Sequence, residues 1–573
     1  MEEFLLMFSR VEDTYVYVYQ AILRYLLPCL AGFLLYRTIK PLLTFRREPE
    51  IWAWLCLTNG KKLPITHWEN VIGRSKRSDV VVDVPTISRN HAVLTRYDDG
   101  SWSISDANSK SGVLVNGEKI DICALDEEDV ITIGGVDMKL QPISKKQEHL
   151  LAQLRTKASN PVYVILNCLL LTLIQVLICV SYMMTVATEY TGDVLLGFAG
   201  ITVCQWALLI FYLIIRKPSF EPETIAFFLC TMGMAAIAAV KPGEAVKQLA
   251  ALVMGLCLFL GVGWSVRDLE RAKKMRYVAG IAGLLLLLIT MVFGKEYHGA
   301  KNWLVIGSLS IQPSELSKVC FVFIGASTMN RIMNKRNLIL FIAYTVAICG
   351  CLAVMNDFGT ALIFFVAFLL IAYFRSGSVG TIALACTSLG FAGVLVLKIA
   401  PHALRRFAIW RHVWEDPLGV GYQQTRALMC IASGGLFGLG AGSGFMKHIF
   451  AADSDVVFAT LSEEWGLLIG LMLILCVIAL GLFVLRTAAV GRSSFYIIGA
   501  CTAAGILMLQ AIFNALGTVD VLPLTGVTFP FVSNGGSSMI GAWGLLAFVK
   551  AADTRQNASF AVRQSREGCL EDE

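Results

Sequence analysis

Asp455 stands among residue types that could move a proton and hold a charged leaving group. It lies in Asp453-Ser454-Asp455-Val456-Val457-Phe458-Ala459, ahead of Glu463-Glu464-Trp465-Gly466. Further carboxylates stand at Glu315 and Asp357, and cations at Lys301, Lys318, Arg405 and Arg406. Glu315 and Lys318 are three apart on one predicted helix, share a face and can pair. Trp303 follows Lys301-Asn302, Gln312 precedes the helix bearing Glu315, and Ser533-Asn534-Gly535-Gly536-Ser537 lies near the end of the chain. A positioned carboxylate takes a proton from a hydroxyl. Cations stabilise a departing diphosphate, and glycine-rich backbone permits close approach. Gathered at one lipid–water boundary, this set suits a substrate with a diphosphate head and an apolar tail.

These groups must be positioned by membrane helices. Only 16% of the residues are charged and 56% are hydrophobic, where a soluble domain carries about a quarter charged. Apolar blocks of roughly 20 residues, enough to span a bilayer, begin with 15–36. More follow near 161–186, 193–215, 223–240, 246–265, 277–294, 315–330, 338–355, 358–374, 378–399, 461–485, 494–516 and 535–551. The count is about thirteen spans. No small-residue cleavage site follows the first, so it reads as a retained signal anchor.

The positive-inside rule supports the parity. Counting from Arg37–Arg47, every alternate turn is basic: Arg216 and Lys217, Arg267–Arg276, Arg331–Arg336, Arg375, Arg486 and Arg492, and the tail after Lys550. Residues 37–160 then lie in the cytoplasm. Long loops at about 295–314, 400–460 and 517–534 lie outside, and Glu315, Asp357 and Asp455 fall near that same surface. The net charge of +6 is what cytoplasmic basic turns produce and does not suggest nucleic acid. The sixteen cysteines show no CxxC pair and no metal-ligand spacing, so they read as small buried hydrophobes.

Between the first two spans, residues 51–143 read as short strands. Asp98-Asp99-Gly100, Asn116-Gly117 and Gly134-Gly135 are hairpin signals, and strands of this number and length favour a β-sandwich. Gly73-Arg74-Ser75, Ser88-Arg89-Asn90-His91 and Asp106 to Gly117 resemble the three signature segments of a forkhead-associated (FHA) domain, in order and spacing. The resemblance implies a sandwich whose end loops bind phosphothreonine peptides. Its pocket would be built from Arg74, Ser75, Ser88, Arg89, Lys110 and Ser111, with His91 bracing the loop. Lys110-Ser111 stands where the family often has Thr-Asn.

The loops of residues 223–551 resemble the SEDS family, the RodA, FtsW and SpoVE type of cell-wall proteins. The resemblance implies a ten-span core and a bacterial peptidoglycan glycosyltransferase that polymerises lipid II outside the cytoplasmic membrane. The expected partner is a class B penicillin-binding protein, and undecaprenyl diphosphate leaves. Asp455 falls where the family's catalytic aspartate lies, with Asp453 its nearest rival. Substrate contacts are expected from Lys301, Trp303, Gln312, Glu315, Lys318, Asp357, Arg405, Arg406, Ser533, Gly535, Gly536 and Ser537. Glu463 and Glu464 are expected to shape a helix start. Asn302 stands where the family usually has Arg, and Asn534 where it usually has Tyr. No cofactor or metal site is expected, and a divalent cation is not readable from the residues.

The expected architecture is therefore a polytopic α-helical membrane protein with an inserted cytoplasmic all-β FHA sandwich. Its parts are an anchor helix at 1–40, the FHA domain at 50–143, two accessory spans within 161–216 that tether it, the SEDS domain at 223–551 and a cytoplasmic tail at 552–573. A phosphothreonine protein or Ser/Thr kinase is expected to regulate or localise the enzyme. A lipid-linked precursor transporter and a non-catalytic scaffold would share this architecture. The polar groups cluster at one face rather than at the midplane, and no inverted repeat is visible, which disfavours transport.

Overall fold

The computed structural model describes residues 12–555 and Ala558, apart from 45–49, 77, 98–99, 145, 148–149, 151–158, 298–299, 307–308, 330–334, 377–379, most of 381–406, and 492. Most of the expected span at 378–399 lies outside the described residues, as do Arg405, Arg406 and the turn residues Asp98 and Asp99.

Helix α1 (Asp13–Leu43) leads into the sandwich. One sheet takes the order β2 (Lys62–Ile65), β1 (Ala53–Leu57), β11 (Val136–Pro142), β10 (Val130–Ile133), β7 (Val113–Val115), β8 (Glu118–Ile120). The other runs β4 (Val80–Val81), β3 (Glu69–Gly73), β5 (Ala92–Arg96), β6 (Trp102–Asp106), β9 (Ile122–Leu125). Between the sheets pack alternating buried residues such as Leu55, Ile72, Leu94, Ile104, Val113 and Ile131.

The hairpin signals hold. Asn116 and Gly117 both take positive φ, 52° and 87°, the conformation of a type I′ turn, and Val115 faces Glu118 across it. Gly134 and Gly135, at φ 57° and 82°, turn β10 into β11. After the Asn116-Gly117 hairpin the chain breaks at Asp121 and crosses between sheets: β8 pairs with β7, and β9 with β6.

The bundle follows: α2 (Pro161–Met183), α3 (Thr191–Ile214), α4 (Glu221–Val240), α5 (Ala245–Val266) and α6 (Leu269–Phe293). A three-stranded sheet, β12 (Lys295–Tyr297), β13 (Ala300–Ile306) and β14 (Leu309–Ile311), fills the loop before α7 (Pro313–Met329). Then come α8 (Lys335–Val354), α9 (Phe358–Ser376), α10 (Tyr422–Gly434), α11 (Val457–Trp465), α12 (Leu467–Ala488), α13 (Ser494–Thr518) and α14 (Gly536–Ala551).

Among the described residues, nine helices are long and apolar enough to cross a membrane. Of the other expected spans, 378–399 lies mostly outside the described residues and Phe358–Phe374 is apolar but shorter. α7 and α14 are also short, and charged Glu315, Lys318 and Lys550 sit in them, buried by neighbouring helices. The expected span 461–485 is also redrawn. Gly466, at φ 87° and ψ 159°, breaks it into α11 and α12.

The accessory spans do more than tether. Gln175 on α2 donates through Nε2 to Gln205 Oε1 on α3 (3.0 Å) and to Thr231 Oγ1 on α4 (3.2 Å), all buried. Tyr182 at the end of α2 donates to Glu464 Oε2 at 2.6 Å. α1 is fixed as well: Tyr19 donates to the Leu177 carbonyl, Gln20 to that of Ala441, and Arg37 to Asn167 Oδ1. A buried amide bonded across helices resists separation, because its alternative is an unpaired polar group in hydrocarbon. The start of the tail is equally locked. Buried Arg555 bonds Asp553, Glu221 and Ser219, while Lys550 pairs with Glu223.

Candidate functional site

Asp455 sits just before α11, on a segment held from two sides. Asn514, near the far end of α13, donates through Nδ2 to the carbonyls of Ser454 (3.2 Å), Asp455 (3.0 Å) and Val527 (2.9 Å). Ser533 Oγ donates to the Ser454 carbonyl at 2.7 Å and accepts from the Phe529 N–H. Asp455 is half-buried, and its Oδ2 lies 3.3 Å from where a Cβ on Gly526 would stand. Gly526 has φ +71°, so glycine meets both the turn and the close approach there.

Asp453 is placed differently. It is 1% exposed, pairs with Lys241 Nζ at 3.1 Å and accepts from Asn534 Nδ2 at 2.6 Å. Asn534 also donates through Nδ2 to Glu244, and through its backbone N–H to the Asp453 carbonyl. Asn534 thus ties the 525–538 turn to the Asp453–Asp455 segment. Of the two aspartates, Asp453 braces the segment and Asp455 is the one left at its surface.

The second carboxylate is Asp357. Its Oδ1 caps α9 by accepting the Thr360 N–H, and its Oδ2 accepts from Asn302 Nδ2 (3.0 Å) and Gln312 Nε2 (3.4 Å). The Gln312 N–H donates to Ser537 Oγ at 3.1 Å, and Ser538 Oγ meets Thr528 Oγ1 at 2.8 Å. Asp357, Gln312 and Ser537 are thereby joined to the turn that also holds Ser533. Lys301 donates to the carbonyl of Val292, and its N–H bonds the Met355 carbonyl. Trp303 lies opposite Lys295 in the small sheet.

Lys318 and Glu315 form the ion pair their spacing allows, at 2.7 Å, with side chains 1% and 7% exposed inside the bundle. At Gly535 and Gly536 a Cβ would meet its nearest protein atoms at 3.4 and 3.5 Å, which is ordinary contact. Glu463 and Glu464, expected at a helix start, lie instead at the end of α11 and hold the loop that precedes that helix. Glu463 accepts the N–H groups of Phe445 and Met446, and Glu464 that of Gly442. Asn514 and Lys241 join the site without a mark in the sequence, since a lone polar residue beside an apolar block has no spacing signal.

In the sandwich, Arg74, Ser88 and Lys110 come together. The Arg74 and Ser75 N–H groups donate to the carbonyls of Ser88 and Arg89, and the Lys110 N–H donates to Ser88 Oγ. The Ser88 hydroxyl keeps its own proton for an incoming acceptor. Arg74, Arg89, Lys110 and Ser111 are exposed, and Arg74 Nη1 reaches the Pro85 carbonyl at 3.4 Å. His91 is fully buried. It accepts the Ser88 N–H at Nδ1, which leaves Nε2 to donate to the Gly112 carbonyl, both at 3.0 Å. Gly73 is obligatory, because a Cβ would stand 2.2 Å from the Arg89 carbonyl oxygen.

The α13 helix relates the two sites. Ser494 at its start lies against the sandwich, and Asn514 lies against Asp455. Those twenty residues span about 30 Å of helix, a bilayer's hydrocarbon thickness. The FHA domain and Asp455 therefore occupy opposite ends of the bundle.

Fold and site define a multi-span membrane protein with a carboxylate site at one end and an FHA-type module at the other. The chain matches the model of the cell cycle protein family FtsW/RodA/SpoVE over residues 243–558 and the FHA domain model over 70–134. It belongs to the FtsW/RodA/SpoVE family. Among its relatives is the "Peptidoglycan glycosyltransferase RodA" of Mycobacterium tuberculosis, 29% identical over 326 residues, covering 53% of this chain and 69% of the relative. The "Probable peptidoglycan glycosyltransferase FtsW" of Tolumonas auensis is 32% identical over 349 residues, covering 57% and 90%. A chain solved in work on "Structural coordination of polymerization and crosslinking by a peptidoglycan synthase complex" is 25% identical, covers 58% of this chain and 96% of its own, and superposes with a TM-score of 0.49.

Proposed function

We propose that this chain is a peptidoglycan glycosyltransferase that polymerises lipid II at the outer face of the cytoplasmic membrane, and that phosphothreonine binding to its FHA domain regulates or localises it. The observation that carries the reading is the contrast between two neighbouring aspartates. Asp453 is buried at 1% exposure, while Asp455 stands half-buried on backbone pinned by Asn514 and Ser533. Family membership supports the substrate class, and the basic turns support the sidedness.

In the proposed reaction the 4-hydroxyl of the acceptor sugar attacks the anomeric carbon of the lipid-linked donor. Asp455 accepts the hydroxyl proton. The bond between that carbon and the diphosphate oxygen breaks, and undecaprenyl diphosphate departs with the electron pair. A sugar hydroxyl is a weak nucleophile at neutral pH, so a positioned base contributes typically 10²–10⁴-fold. Asp357, held by Asn302 and linked through Gln312 and Ser537 to the turn that holds Ser533, suits hydroxyl contacts of the sugar. Lys301, Arg405 and Arg406 are the cations we assign to the diphosphate. With Lys318 spent on Glu315, that pair fixes α7 rather than the substrate. The reaction as drawn uses no cofactor, and a class B penicillin-binding protein is the partner we assign for cross-linking.

The test is lipid II polymerisation by the purified protein with and without that transpeptidase, comparing wild type with Asp455→Ala. Polymer from wild type and none from a folded mutant is expected. Equal polymer from both overturns the role of Asp455. No polymer from either, with lipid II crossing vesicle membranes, would establish transport instead.

A further inference from the structure

The FHA sandwich does not hang free of the bundle. Three consecutive residues leading into β3 meet the turn between α12 and α13. His67 Nδ1 lies 2.7 Å from the Gly491 carbonyl oxygen. Ser494 Oγ donates to Glu69 Oε2 at 2.5 Å. Trp68, only 9% exposed, sets its ring edge-on to Tyr496 with centroids 6.4 Å apart. Tyr496 in turn donates to the Val266 carbonyl at the end of α5 at 2.8 Å.

The joint uses the end of the sandwich away from the phosphate loops. β3 runs from Glu69 to Gly73, and Arg74 follows it. At about 3.3 Å per residue, joint and Arg74 stand roughly 16 Å apart. A phosphopeptide can therefore occupy the loops while the domain stays docked. The joint includes two hydrogen bonds and one aromatic contact among the described residues, and interfaces between domains of one chain are by default of the transient kind. The sandwich is nevertheless tethered at both its ends by the chain, which keeps its local concentration high. Such a contact is suited to being held or released. Its membrane side is the start of α13, the helix whose other end carries Asn514 and holds the Asp455 carbonyl.

We propose that His67, Trp68 and Glu69 form a docking surface for the α12–α13 turn, and that docking and release at this joint set the activity of the Asp455 site. The proposal rests on the reading of Asp455 given above. Coupling requires an element with two arrangements that both sites bias. Here that element is the docked or released sandwich, read by α13.

The test uses the full-length protein in membranes. Glu69→Cys with Ser494→Cys clamps the joint by a disulfide. Glu69→Ala, and separately Ser494→Ala on the membrane side, loosen it without touching the sandwich core. The clamp should form on mild oxidation, be detected by peptide mass spectrometry, and reverse on reduction. Lipid II polymerisation should differ at least threefold between the oxidised clamp and the loosened proteins, and move to the loosened level when the clamp is reduced, since the reduced variant also lacks the Glu69–Ser494 bond. Absence of the disulfide overturns the docking. Active clamped and loosened proteins with equal rates overturn the coupling alone. A wild type that makes no polymer overturns the glycosyltransferase reading, while the disulfide still reports on docking.

Discussion

Asn514→Ala should cripple polymerisation although Asn514 is offered no role in bond making. Its Nδ2 faces three carbonyl oxygens at 2.9–3.2 Å, an arrangement that only a donor tolerates, so the amide orientation is fixed. Removing the amide leaves Ser454 with its bond from Ser533 at 2.7 Å, while the carbonyls of Asp455 and Val527 lose their donor. A buried acceptor stripped of its partner costs about 1–3 kcal/mol, so the pair is worth about 2–6 kcal/mol before the loop relaxes. Relaxation lets water in and moves Asp455 from its place. If about 2–4 kcal/mol is lost from the transition state, kcat falls by about 30- to 1000-fold. Lipid II binding should change little, because Asn514 itself is 1% exposed. Asn514→Asp, equal in size but without donors and negative towards three carbonyls, should be at least as poor. The assay is polymer formation on gels alongside lipid II binding to the same preparation. A folded Asn514→Asp protein that polymerises within threefold of wild type would refute the positioning argument.

Asp453→Asn should behave as a structural lesion. It weakens the contacts to Lys241 and Asn534, costing about 1–2 kcal/mol, and should lower Tm while retaining more polymerisation than Asp455→Asn; the reverse order would exchange their roles. His91→Ala removes a buried ring and both its 3.0 Å bonds. It should loosen the Ser88 loop by about 2–4 kcal/mol, seen as faster amide exchange at Ser88 and loss of phosphothreonine-peptide binding, as in Arg74→Ala. Unchanged exchange would show that the loop stands without it. Gly438→Ala places a Cβ 2.2 Å from the Glu464 carbonyl oxygen at φ +82°, so the protein should unfold at lower temperature or fail to accumulate. A normal Tm would mean that the 434–442 turn takes another path.

Much of the fold is legible in the sequence. The hairpin at Asn116-Gly117 follows from local backbone preference, and the bundle from apolar length, because each is written in neighbouring residues. The same holds for the FHA loops, whose signature segments are close in sequence and whose His91 braces Ser88 three residues away. Gly466 was harder. A single glycine inside an apolar run carries little signal, and only its φ of 87° divides α11 from α12.

By itself the sequence determined a β-module set among membrane spans, the segments where chemistry could lie, and Asp453 and Asp455 as the aspartates to choose between. Only the tertiary structure sets their surroundings apart: Asp453 meets Lys241, 212 residues away, and the Asp455 carbonyl accepts from Asn514, 59 residues away. It also decided that the first three spans are knitted into the bundle, and that the sandwich docks on the turn holding Gly491, 424 residues from His67. The physical reason is common to all of these. Helix and turn formation are local and leave periodic or positional marks, whereas a single hydrogen bond between distant segments leaves none until the chain has packed.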